Sequence, residues 1–156
     1  MARHHVTRIL PWQPNQLYEM VGDVKRYAEF VPWITSMRTW NEREEAGVSW
    51  VDAEATVGFS FLRERFATRV KRDPLTRTIE VSLLHGPFRR LNNRWVFVPH
   101  ADGTRVEFDI DFAFKSGLLD AMLASNFDRA VTKLMGCFEA RAAKLYGAKA
   151  APQPAK

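Results

Sequence analysis

The stretch Thr104-Arg105-Val106-Glu107-Phe108-Asp109-Ile110-Asp111-Phe112-Ala113-Phe114 decides the fold. Val106, Phe108, Ile110, Phe112 and Phe114 alternate with Arg105, Glu107, Asp109 and Asp111. Successive strand side chains point to opposite faces, so this segment has one apolar face and one charged face. That is a half-buried antiparallel strand with one wet side. Asp102-Gly103 just before it is a hairpin signal that ties it to the preceding strand, residues 93–98. Just after it the apolar period changes from 2 to about 3.6. A first helical piece is expected over residues 116–123. Ser125 followed by Asp128 resembles a capping box and predicts a new helix at residues 126–146. There Phe127, Val131, Leu134, Phe138, Ala142 and Leu145 form a stripe. At about 1.5 Å per residue this helix is roughly 31 Å long, enough to cross a sheet.

Working outward, further strands are expected over residues 34–42, 48–57, 61–72 and 78–84, each ending at a turn signal. Residues 5–10 read as a first strand, stopped by Pro11 and Pro14. A short helix follows from about Asn15, with Leu17, Tyr18, Val21 and Val24 on one side and a break at Gly22-Asp23. Phe30-Val31-Pro32-Trp33 then makes an apolar corner. The fold class is therefore α+β: a curved antiparallel sheet of about seven strands wrapped around a long C-terminal helix. A sheet that grips a helix leaves a space between them, filled by side chains or open to a ligand. Residues 1–146 are read as one domain, and residues 147–156, rich in Ala, Pro and Lys, as a disordered tail.

Composition excludes several classes. The chain has 156 residues, 46% hydrophobic, and a net charge of +5, which argues against disorder. No run approaches the roughly 20 apolar residues of a membrane span. A single cysteine, Cys137, excludes an internal disulfide and a cysteine zinc site. The first residues carry no apolar h-region, so no secretory signal is expected and a reducing, cytoplasmic setting fits best; peripheral contact at the inner membrane is a further option that composition does not decide. His4, His5, His85 and His100 show no metal-ligand spacing, and no nucleophile or phosphate-loop motif is present. Neither catalytic residues nor a metal nor a cofactor is expected. Cys137, beside Phe138, reads as a small buried apolar residue.

Two charged features stand out. Glu64 shares parity with Leu62, Phe66, Thr68 and Val70, so a regular strand aims it inward. There it would hold a polar ligand head or serve as an acid or base, unless a bulge or a rim position turns it out. On the other parity Arg63, Arg65, Arg69 and Lys71 form a basic patch suited to RNA phosphates or anionic lipid heads, with Arg72, Arg89, Arg90 and Arg94 expected nearby. Glu107, Asp109 and Asp111 are the acids expected to neutralise it by cross-strand pairing.

Aromatic residues make up 12% of the chain. Phe30, Pro32, Trp33, Phe59, Phe61, Phe88, Leu91 and Trp95 cluster near turns and strand ends, where a sheet core does not need them. Two readings stay open for them: an ordinary aromatic core, or the lining and mouth of an apolar cavity.

Four motifs carry a resemblance: Asp23-Val24-x-x-Tyr27-x-x-Phe30-Val31-Pro32-Trp33, Gly86-Pro87-Phe88-Arg89-x-Leu91, Trp95-x-Phe97, and Val106 to Phe114 with Lys115-Ser116. Together they resemble the coenzyme Q-binding START-like family of the helix-grip, polyketide-cyclase-like superfamily, over residues 3–146. The resemblance implies an apolar tunnel between sheet and helix that binds ubiquinone or lipid in support of respiration, without catalysis. Phe30, Pro32, Trp33, Phe61, Phe66, Phe88, Leu91, Trp95, Phe108, Phe112, Met122 and Phe127 would line or gate it. One bacterial branch of the family is a ribosome-association toxin, so the large ribosomal subunit is the alternative partner; DNA is not. Where such helices often carry Pro after the serine at 116, and Gly-Pro farther on, this chain has Gly117 and Ala124-Ser125.

Overall fold

The computed structural model describes residues 2–59 and 62–147. The elements are β1 (Ala2–Leu10), α1 (Pro14–Gly22), a 3-10 turn (Val24–Glu29), β2 (Ile34–Glu45), β3 (Val48–Phe59), β4 (Leu62–Asp73), β5 (Thr78–His85), β6 (Phe88–His100), β7 (Gly103–Phe114) and α2 (Gly117–Tyr146). The seven strands form one antiparallel sheet in the order β1-β7-β6-β5-β4-β3-β2. Sequential hairpins build β2 to β7, and β1 closes against β7. The expected seven-stranded sheet gripped on a C-terminal helix is the fold observed.

Local chemistry explains the turns. Glu45 pairs with Val48 across Ala46 and Gly47, both at positive φ (55° and 85°). Two left-handed residues make the hairpin turn whose twist matches the flanking strands. Gly86 carries φ 152° where β5 passes into β6, and a Cβ built there would lie 2.5 Å from the Phe66 Cβ. The glycine therefore permits the close approach of this turn to β4.

Several boundaries differ from expectation. β2 runs on to Glu45 because register shifts absorb the break at Asn41 (φ 59°). β6 starts at Phe88 instead of residue 93, with a register shift between Phe88 and Arg90 that keeps Phe88 opposite Phe114. The two expected helical pieces are one helix, Gly117–Tyr146, of 30 residues. Its cap is Ser116, whose Oγ accepts from Leu119 N at 3.3 Å. Ser125 does not cap; its hydroxyl donates back to the Ala121 and Met122 carbonyls, a bond compatible with an unbroken helix. The segment Leu118 to Ala124 carries neither Pro nor Gly, so nothing stops propagation.

The core lies between the concave sheet face and α2 from Phe127 onward. Phe127, Val131, Met135, Phe138 and Ala142 are the buried helix positions. Leu134 is only half-buried and Leu145 is exposed, while Met135, absent from the expected stripe, is buried. The end of α2 is pinned by Tyr146 Oη donating to the Gln16 carbonyl at 2.9 Å and Trp12 Nε1 donating to the Gly147 carbonyl at 3.2 Å. Thr104, fully buried, donates to the Trp12 carbonyl at 2.6 Å and ties β7 to the turn after β1. The expected tail beyond Gly147 lies outside the described residues.

Candidate functional site

The aromatic residues divide into two clusters along α2. The first surrounds Phe138. Its ring meets Trp95, Phe30 and Tyr27 edge-on at 5.4 to 5.5 Å, and Trp95 packs on Phe108 at 4.4 Å. Phe138, Trp95, Phe108 and Phe97 are buried. The Tyr27 hydroxyl donates to the Val21 carbonyl, and burial pushes its titration well above the ordinary tyrosine range. Arg141 locks this cluster from above. Its Nη2 lies 2.8 Å from Glu29 Oε1, and its guanidinium sits 5.0 Å from the Phe30 ring centroid.

The second cluster is a continuous ladder: Phe66 on Phe88 (5.3 Å), Phe88 on Phe114 (4.6 Å), Phe114 on Phe112 (6.1 Å), and Phe112 on Phe127 (5.9 Å). Phe112 and Phe127 are buried, whereas Phe66, Phe88 and Phe114 are only half-buried. The turns of α2 before Phe127 cover little above them: Leu118 is 69% exposed, with Leu119 and Leu123 half-buried. The concave face is thus closed under α2 from Phe127 onward and partly open under the turns before it.

A separate groove of about 680 Å³ runs outside the first cluster, between the Phe30–Trp33 corner and α2. Phe30, Pro32, Trp33, Glu29 and Gly58 form one wall; Lys133, Gly136, Cys137, Ala140, Arg141 and Lys144 form the other. Cys137 is half-buried at this groove and not in the core, and desolvation pushes its thiol up.

Most of the expected lining residues fall into these three places. Phe30, Pro32 and Trp33 line the groove; Trp95 and Phe108 belong to the first cluster; Phe66, Phe88, Phe112 and Phe127 belong to the second; and Leu91 is buried opposite Phe112. Phe61 lies outside the described residues. Met122 stands apart, 36% exposed. It precedes Phe127 by five residues and so is turned about 140° from the buried stripe, whereas Leu123, four residues ahead, shares that stripe's face. Phe114, Tyr27 and Phe138 were legible by parity or spacing yet were not among the expected lining residues.

The charged features also sort themselves. The β3–β4 ladder is regular from Ser49–Arg72 to Phe59–Leu62, with Glu64 opposite Val57 and Phe66 opposite Ala55. No bulge turns Glu64 outward: it is half-buried on the concave face near the start of β4. Arg63, Arg65, Arg69 and Lys71 lie in one file on the convex face. The acids expected to neutralise them do not reach them, because β5 and β6 separate β4 from β7. Glu107, Asp109 and Asp111 instead serve His5, Arg105, Arg90 and Arg3. Arg69 is held by Asp52, with Nε and Nη2 at 2.9 and 3.1 Å from its two oxygens. Asp52 is buried and also accepts from Asn41 Nδ2 at 2.9 Å; these bonds, that of Arg69 foremost, hold its carboxyl below the usual range. Arg72 points to the opposite face, onto Ser49 and the Gly22 carbonyl. Arg63 and Arg65 are exposed and make no ion pair among the described residues. Among those residues no group of three or more His, Cys, Asp or Glu is placed to hold a metal ion, and no helix is long and apolar enough to cross a membrane.

The model of one known family matches residues 10–139 of this chain. The chain belongs to the polyketide cyclase/dehydrase and lipid transport family. Two kinds of curated protein resemble it. The ribosome association toxin RatA of Rickettsia prowazekii is 34% identical over 139 residues, covering 87% of this chain and 92% of that protein. The mitochondrial coenzyme Q-binding protein COQ10 homolog B of Xenopus laevis is 33% identical over 151 residues, 94% of this chain and 60% of that protein. Among solved structures, the 18 kDa protein CC1736 of Caulobacter crescentus is 68% identical with a TM-score of 0.81, over 95% of this chain and all of that one. An aromatase/cyclase from Streptomyces, at 18% identity and a TM-score of 0.73 over 92% of this chain and 93% of that one, shares the fold.

Proposed function

We propose that this chain is a non-enzymatic binding protein for ubiquinone, or a lipid of similar shape, in support of respiratory electron transport. The ligand occupies the apolar space between the concave face and the turns of α2 before Phe127. The half-buried ladder of Phe66, Phe88 and Phe114 carries this reading. A packed interior closes over its aromatic rings; these rings lie beneath a helix segment that leaves them partly open, as a binding cleft does. The similarity to a coenzyme Q-binding protein supports ubiquinone as the ligand. Lys133 and Lys144, beside the Phe30–Trp33 groove, suit contact with an anionic membrane surface from which such a ligand is drawn.

Organic extraction of the purified protein followed by mass spectrometry tests the reading. A quinone or lipid is expected to copurify, and ubiquinone titration is expected to saturate at one site. A protein that yields no lipid and takes up no ubiquinone overturns it.

A second reading, binding to the large ribosomal subunit, is favoured by the RatA relatives and by Arg63 and Arg65, exposed on the convex face and without an ion pair among the described residues. Co-sedimentation with large subunits at low salt tests it. Arg63→Glu with Arg65→Glu is expected to abolish co-sedimentation, and its absence in the unaltered protein refutes this reading.

A further inference from the structure

One transverse row of the concave face departs from the apolar rule. Its members pair in register across six strands: Val51, Val70, Val81, Asn93, Ile110 and His4. Four are aliphatic, as a face packed against a helix requires. Asn93 and His4 are not, and they flank Ile110 from either side, about two strand spacings or 10 Å apart. The adjacent rows are apolar walls, Trp95 with Phe108 and Val6 on one side and Leu91 with Phe112 on the other. Phe127 of α2 forms the roof, stacked on the His4 ring at 3.6 Å between centroids and 15° between planes.

Asn93 Oδ1 and His4 Nε2 are both fully buried and both without a hydrogen-bond partner among the described residues. A third such atom, Arg90 Nη2, lies 3.0 Å from Asp111 Oδ1 and is paired by charge. Buried polar side-chain atoms are nearly always satisfied, because an orphan forfeits its hydration without return. Two orphans on one row, walled by aromatic rings, form a polar island in an apolar space.

We infer that His4 and Asn93 are the polar subsite that recognises the ring oxygens of the bound ligand, an oxygen-bearing ring such as a quinone or quinol. This rests on the ligand-binding reading above and adds its recognition chemistry. An imidazole nitrogen donates or accepts according to tautomer, and a carboxamide offers both a donor and an acceptor. His4 Nε2 therefore meets a carbonyl oxygen or a hydroxyl according to tautomer, whereas Asn93 meets a hydroxyl through its unpartnered Oδ1 and a carbonyl oxygen through Nδ2, so a carrier built this way holds both redox forms of its ligand. The apolar walls take the ring faces and substituents.

The test compares two probes on three proteins: a two-isoprene ubiquinone and an alkylbenzene of matched length, titrated into the unaltered chain, His4→Phe and Asn93→Leu. Both substitutions keep shape and remove polarity, and thermal melts confirm that each variant is folded. The expected result is about fivefold to tenfold weaker ubiquinone binding in each variant, the value of one lost hydrogen bond, with alkylbenzene binding unchanged. A second readout needs no variant: the His4 ring-nitrogen resonances of labelled protein are expected to shift on adding ubiquinone and not on adding alkylbenzene. Ubiquinone binding that survives both substitutions, or equal weakening of both probes, overturns the subsite and leaves the ligand-binding reading standing. An unaltered protein that binds neither probe refutes that reading, and the subsite with it.

Discussion

Truncating Phe138 and Phe88 separates the two aromatic clusters by what they do. Phe138 is 3% exposed and touches Trp95, Tyr27 and Phe30. Phe138→Ala opens a cavity at the joint between α2, the sheet and the Phe30 corner, at a cost of about 3–5 kcal/mol. For a chain of this size each kcal/mol lowers Tm by about 2–4 °C, so the fall is about 6–20 °C. Phe88 is half-buried between Phe66 and Phe114, and Phe88→Ala forfeits roughly half as much, about 1.5–2.5 kcal/mol. Its distinctive effect is on the ligand. One exposed ring face is about a third of the ~200 Å² an aromatic side chain carries, or ~70 Å². At about 25 cal/mol per Å² its loss removes about 1.7 kcal/mol, a fall in affinity of nearly twentyfold. Thermal melts by circular dichroism and ubiquinone titration by tryptophan quenching, run on both variants, give the two numbers. Equal Tm losses for the pair, or unchanged affinity in Phe88→Ala, refute the division into a structural and a ligand-facing cluster.

Two further outcomes follow from local geometry. Gly86→Ala places a Cβ 2.5 Å from that of Phe66 at φ 152°; strain of about 1–3 kcal/mol is expected, with a lowered Tm and weakened ubiquinone binding as the Phe66–Phe88 contact is displaced. Because Asp52 titrates below its ordinary value in the folded state, the stability it contributes is full above the ordinary Asp range and is lost as pH falls through the native value. Acid titrations of stability are expected to be less steep in Asp52→Asn, and an unchanged slope contradicts the Asp52–Arg69 assignment.

Much of the fold was legible because its information is local. Alternation in Thr104 to Phe114, the Ala46-Gly47 and Asp102-Gly103 turns and the stripe from Phe127 each concern neighbours along the chain, and consecutive hairpins need no distant pairing. The helix start was misread for a related reason: Ser125 and Asp128 look like a cap, but Ser116 already caps a segment with no helix breaker, and propagation is favoured once a helix is nucleated. His4 lay just outside the expected first strand, residues 5–10, so its parity with Val6 went unread, while Asn93 carried a readable signal in sharing parity with Trp95 and Phe97.

The sequence by itself determined an antiparallel sheet with one apolar face, a gripping helix and an excess of aromatic residues on the inner side, since the periods 2 and 3.6 are properties of backbone geometry. Tertiary structure alone decided how those residues are divided. Pairing of β1 with β7 sets His4 in line with Asn93 across Ile110. The strand order gives Arg69 to Asp52 and denies it the acids of β7. The path of α2 buries Phe138 and leaves Phe88 partly open. Each of these depends on which distant segments meet, and no local period encodes that.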